Sequence, residues 1–178
     1  MVSPAELKAQ GMELFQADLL EAAAAKFAAA AEAFEALGDR GNAAEMRNNL
    51  CVTHLAAKNW AAALAAVRGT PEVFQSLGDR LRQAQALSNL AAAHAGAGDV
   101  PRAADLYQQA IEIFTELGEH ENRAACWKAL SALQLKQGQQ LQALASMQAG
   151  LEHTPQLSPR EQMLKGMIDR AMHLLKKG

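Results

Sequence analysis

The sequence is poor in most of the residues that carry chemistry. It has two cysteines, five prolines and eight aromatic residues among 178. Cys51 and Cys126 stand 75 positions apart with no CxxC and no ligand pattern nearby, so neither a disulfide framework nor a cysteine metal site is indicated. A reducing compartment is the simplest reading. An excess of one charge is lacking too. Seventeen Lys and Arg against nineteen Asp and Glu leave a formal net charge of −2, which offers no electrostatic footprint for nucleic acid or an anionic membrane. Every long apolar run is broken by Lys, Glu, Gln or Arg well short of the roughly 18 residues of a membrane span. The opening stretch of the chain also lacks the charged-then-apolar pattern of a signal peptide. A cytoplasmic protein is expected. What the chain does have is hydrophobic residues at half of its positions, carried by Ala, Leu and Met, the alphabet of helices. Its length suits one domain, residues 1–178.

A forty-residue period organises the sequence. Phe34-Glu-Ala-Leu-Gly-Asp-Arg40, Phe74-Gln-Ser-Leu-Gly-Asp-Arg80 and Phe114-Thr-Glu-Leu-Gly-Glu-His120 stand 40 positions apart, and Leu157 falls 40 after Leu117. The same step aligns Asn49-Leu50 with Asn89-Leu90 and Ala129-Leu130, Ala23 with Ala63, Ala103 and Ala143, and Phe27 with Val67, Tyr107 and Met147. Repeats of about 1–38, 39–78, 79–118 and 119–157 follow.

Each repeat reads as two helices, because apolar residues recur at helical spacing, as in Leu106, Ala110, Ile113, Phe114 and Leu117. Gly38, Gly78 and Gly118 suit left-handed C-caps, and Asp39 and Asp79 suit the N-caps that follow. Lys58-Asn59, Gly98-Asp99 and, more weakly, Gly138-Gln139 divide first helix from second. The spacing predicts helices near 4–16, 19–37, 40–57, 60–77, 80–96, 100–117, 120–137, 140–152 and 159–176. Gly69-Thr70-Pro71 should break or kink the fourth, with Thr70 as a fresh N-cap and Pro71 as first helical residue. Ser3-Pro4-Ala5-Glu6 and Ser158-Pro159-Arg160-Glu161 read as capping boxes.

These columns resemble the tetratricopeptide repeat family in its forty-residue form, as in kinesin light chains, cortical-polarity adaptors and bacterial peptide-sensing regulators. The matching residues are the Asn49-Leu50 and Asn89-Leu90 pairs, the small Gly11, Cys51, Ala91 and Ser131, the Ala23 and Phe27 columns, and the Leu-Gly-Asp joints. The resemblance implies an all-α, right-handed superhelical solenoid of about four helix-turn-helix repeats plus a C-terminal capping helix, residues 159–176. The physics agrees, since a lone helix pair cannot bury its apolar face and must stack on neighbours. The last helix carries Met163, Leu164, Met167, Ile168, Ala171, Met172, Leu174 and Leu175 in one broad apolar stripe, fit for a cap. Its methionines also admit an adaptable docking or dimer surface.

The resemblance also implies an inner wall made by the first helices. Its positions fall on Lys8, Ala9, Met12 and Phe15; Glu45, Asn48, Asn49 and Val52; Gln85, Ser88, Asn89 and Ala92; Ala125, Lys128, Ala129 and Ala132. Asn49 and Asn89 each offer a donor and an acceptor and so suit the main chain of an extended peptide. The other reading is that they bond neighbouring helices. Of the clamp that holds chaperone C-terminal tails, only Lys8 and Asn49 match, with Met12, Gln85 and Asn89 in the other places, so that ligand is not expected.

Catalytic signals are thin. His54 and His94 share a repeat position, but no third ligand stands at zinc spacing. Cys51 and Cys126 fall in interior columns and read as inert core thiols, and Trp60 and Trp127 as packing residues. There is no Gly-rich phosphate loop and no nucleophile elbow. We therefore expect a non-enzyme without cofactor or metal, binding a peptide or helix of another protein in a concave groove, with no nucleic acid and no membrane as partner. The alternative is a self-assembling structural protein, a homodimer through the C-terminal helix or an array joined through the Gly69–Pro71 break.

Overall fold

Local side-chain chemistry sets the starts of several helices, the first, third, fourth and sixth among them. Ser3 accepts from the Glu6 backbone N–H at 3.2 Å while the Glu6 carboxylate accepts from the Ser3 N–H at 2.7 Å, closing the first helix start. Those bonds hold the Glu6 carboxyl below its ordinary range. The structure, a computed structural model, describes residues 2–152, 154 and 156–175, with the backbone alone for Leu175. Among these residues there are ten helices and no strand: α1 (Pro4–Gln16), α2 (Leu20–Ala36), α3 (Arg40–Ala56), α4 (Trp60–Val67), α5 (Thr70–Ser76), α6 (Arg80–Ala97), α7 (Val100–Leu117), α8 (His120–Lys136), α9 (Gln140–Glu152) and α10 (Pro159–Leu175). Lys176, the expected end of the last helix, lies outside the described residues.

The joints follow the repeat. Gly38, Gly78 and Gly118 adopt φ of 74°, 71° and 71°, the left-handed turn that lets one helix stop and the next begin two residues on. Asp39 and Asp79 then accept from the N–H groups of Asn42 and Arg82. Glu119, one methylene longer, makes no such cap and accepts from the Asn122 side chain instead. The expected break between α4 and α5 is present with one correction. Gly69, at φ 76°, is the N-cap, and Thr70 is the first helical residue, its hydroxyl buried without a partner among the described residues.

The chain divides into two compact units, Met1–Leu106 and Tyr107–Gly178. In the first, α1 packs on α2, α2 on α3 and α3 on α4. Ala23, Phe27, Ala30 and Met46 form one core with Leu7, Leu14, Phe15 and Leu50 against it. Ala44, Cys51, Ala63, Val67, Phe74 and Ala93 form another. The Ala23, Ala63, Ala103 and Ala143 column is fully buried, because only a methyl group fits where helices come this close. Trp60 uses the same device: its ring lies where a side chain on Gly96 would stand. Gly96→Ala is accordingly expected to cost about 1–3 kcal/mol through overpacking, against the usual gain of Gly→Ala in a helix. Urea unfolding of the variant checks this.

In the second unit α8 packs on α9, and Ser131 donates to the Ala143 carbonyl at 2.8 Å. α10 departs from the register of the earlier first-of-pair helices. Forty-residue counting puts Arg170 in the column of Leu50, Leu90 and Leu130, and His173 in that of Thr53, Ala93 and Leu133, all core or core-packed residues. Arg and His resist such burial. α10 instead docks on α9 through Ile168, 3% exposed, and through a 3.0 Å bond from Gln148 to Asp169. Met163, Met167 and Leu174 stay 68%, 59% and 71% exposed, so this helix covers α9 with only part of its apolar stripe.

Candidate functional site

Spacing of three and four residues puts Lys8, Met12 and Phe15 on one stripe of α1, Glu45, Asn48, Asn49 and Val52 on one of α3, and Gln85, Ser88, Asn89 and Ala92 on one of α6. The structure joins these stripes into one face of the first unit. Glu45 is its centre of charge. The Lys8 ammonium donates to Glu45 Oε1 at 2.5 Å, and Arg82, which the sequence reading did not select, reaches Oε2 at 3.5 Å. One largely buried carboxylate thus ties α1, α3 and α6 together.

The two asparagines separate. Asn89 Nδ2 donates to Asn48 Oδ1 at 3.0 Å, so this side chain bonds α6 to α3, as the alternative reading of these residues had it. Asn49 is half-buried, and its amide makes no hydrogen bond among the described residues. Ser88 turns its hydroxyl back to the Gln85 carbonyl at 2.9 Å, and the Gln85 amide stays free among the described residues. Met12 is 41% exposed, whereas Phe15 packs its ring on the Ala23–Phe27 core and presents only part of itself. Val52 and Ala92 are half-buried, leaving shallow ground beside Asn49.

Lys128 lies on the second unit. With Ala125 it borders a cavity of about 420 Å³ between α8, α9 and the first turn of α10, floored by Met147, Leu151 and Leu164. Lys128 helps to hold the Glu161 carboxyl below its ordinary range, after the larger effect of the Ser158 hydroxyl and N–H bonds to that carboxylate. Sequence reading missed this cavity, because it comes from the way α10 docks. Ala129 is half-buried on this helix and Ala132 exposed.

His94 pairs with Asp99 at 3.2 Å, and burial lowers the pKa of His54. Among the described residues no three His, Cys, Asp or Glu side chains gather as for a metal ion. Both thiols are free and buried. Trp127 is half-buried, with Gly150 of α9 against its Cβ. No helix among the described residues is long and apolar enough to cross a membrane.

Comparison with known proteins fits this architecture. No curated protein matches the chain. Among solved structures, the crystal structure of BtubC (BKLC) from P. vanneervenii is similar, with a TM-score of 0.76 and 19% identity over 87% of this chain and 68% of that one. At that identity the likeness is one of fold. The family model described as tetratricopeptide repeat matches residues 42–116 and 82–156, together more than half of the sequence. With its forty-residue helix pairs, glycine joints and fully buried alanine column, the chain belongs to the tetratricopeptide repeat family.

Proposed function

We propose that this protein is a non-catalytic, cytoplasmic binding module that holds an extended segment of a partner protein along the α1, α3 and α6 face. Repeats of this family serve protein–protein interaction and scaffolding. The observation that carries the reading is Asn49. Asparagine in mid-helix costs several tenths of a kcal/mol relative to alanine, and the side chain of Asn49 makes no hydrogen bond to a described residue that would offset it. Placed between the Lys8–Glu45–Arg82 bridge and the Asn48–Asn89 bond, it offers one donor and one acceptor to a peptide main chain whatever its side chains. The free thiols of Cys51 and Cys126 support a reducing compartment.

Asn49→Ala is expected to weaken the partner about tenfold, the value of one or two main-chain hydrogen bonds, with melting temperature unchanged or slightly raised. Asn89→Ala should act differently. It deprives Asn48 of its partner and loosens α6 from α3, lowering stability by about 1 kcal/mol. Titration of the captured partner segment against both variants, beside thermal unfolding, makes the check. Parental affinity in Asn49→Ala removes the proposal.

A further inference from the structure

We infer that the exposed face of α10 is a second docking surface, built for an acidic amphipathic helix of another protein that packs there as the second helix of a fifth pair. The inference goes beyond the peptide face and does not depend on it.

The repeat itself shows what this stripe is shaped for. In α1, Leu7 and Leu14 pack on the Ala23–Phe27 core of α2, and a Cβ on Gly11 would meet the Phe27 ring at 2.8 Å. Leu7, Gly11 and Leu14 are thus the residues with which a first helix grips its second. Four forty-residue steps later the same columns hold Met167, Ala171 and Leu174. In α8 they are covered: Trp127 lies against Gly150, and Ser131 bonds the Ala143 carbonyl. In α10 Ala171 is half-buried, but Met167 and Leu174 are 59% and 71% exposed, with Met163 beside them at 68%. The columns of Leu50 and Thr53, core in the earlier first helices, hold Arg170 and His173 here, and α10 meets α9 through Ile168 instead, which leaves the stripe of Met163, Met167 and Leu174 open.

Charge selects the occupant. Arg160 and Arg170 border the stripe, both exposed and without an ion pair among the described residues. The carboxylates of α10 point elsewhere, Glu161 to Ser158 and Asp169 to Lys165 and Gln148. A second copy of α10 would bring two more arginines against these two, whereas a helix flanked by Glu or Asp meets them with opposite charge. The flexible thioethers of Met163 and Met167 can fit an apolar stripe they did not fold with. The chain supplies a probe of this chemistry. The α2 sequence carries Ala23, Phe27, Ala30 and Phe34 along one side, with Glu21, Glu32 and Glu35 against one Lys26.

A fluorescent peptide of residues 20–36, titrated into the full chain by anisotropy, tests the proposal. Saturable binding is expected, weakened at least tenfold by Met167→Glu with Leu174→Glu and, separately, by Arg160→Glu with Arg170→Glu, with circular dichroism unchanged because all four side chains are exposed. A peptide with Glu21→Lys, Glu32→Lys and Glu35→Lys should favour the arginine-reversed protein. Asn49→Ala should bind the parent peptide normally. Four results overturn the proposal: binding indifferent to the α10 substitutions, binding lost in Asn49→Ala, concentration-dependent dimers in light scattering that Met167→Glu abolishes, or uptake by phosphatidylserine vesicles through α10 with no peptide binding.

Discussion

Phe27→Ala is expected to lower the free energy of unfolding by about 3–5 kcal/mol, a large share of the roughly 5–15 kcal/mol that keeps a domain folded. The Phe27 ring is 1% exposed and stands where α1, α2 and α3 contribute to one core. It also rests directly on the backbone of Gly11, so that nothing larger than hydrogen fits at that position. Two substitutions therefore probe one contact from opposite sides. Gly11→Ala alone should cost about 1–3 kcal/mol by pushing the ring out of place. In a Phe27→Leu background, where the ring is gone, the same Gly11→Ala should cost less than half as much. Urea unfolding of the four proteins of this cycle measures the coupling, and strictly additive losses would show that α1 does not pack on α2 through these two residues.

The two thiols should be almost inert in the folded protein. Burial pushes Cys51 and Cys126 from 9.0 up to about 12, with the side chains 0% and 4% exposed. The thiolate is the reacting form, so native-state alkylation at pH 8 is expected to be about a thousandfold slower than in denaturant. The linkage has a definite sign. Between about pH 9 and 12 the folded state keeps protons that the unfolded chain has released, so stability falls as pH rises through that window. Tyr107, raised to about 12 first by burial and then by Cys126, adds to the same decline at its upper end. Thiol titration with and without denaturant gives the first result; equal rates would mean that neither cysteine is in a core. A urea series from pH 7 to 11 gives the second.

Much of this fold was legible because the repeat writes the same physical instruction several times. Gly-Asp at the joints marks both the end of one helix and the cap of the next, and helix boundaries agree with the spacing to within about a residue. Where one residue had to stand for a whole arrangement, the reading was less complete. Thr70 before Pro71 looks like a cap, yet Gly69 takes that position because its φ of 76° makes the turn. Asn49 and Asn89 occupy one column and look equivalent, but among the described residues Asn89 bonds Asn48 and the Asn49 side chain bonds nothing. Glu45 reads as an ordinary wall residue, and its link to Arg82 depends on how closely α3 and α6 approach. Arg170 and His173 were visible in columns that are otherwise core. Their effect, a last helix that docks through Ile168 and leaves Met163, Met167 and Leu174 to solvent, requires the surface of α9 to be known.

The central claim is that the α1, α3 and α6 face holds a partner segment. Site-specific photo-crosslinking tests it most directly, with the reactive residue placed in turn at Met12 and Gln85 on that face and at Glu32 and Gln75, exposed positions on α2 and α5. The account predicts that one partner segment is joined from both Met12 and Gln85 and from neither of the other two. Joining from Glu32 or Gln75, with Met12 and Gln85 silent, would contradict it.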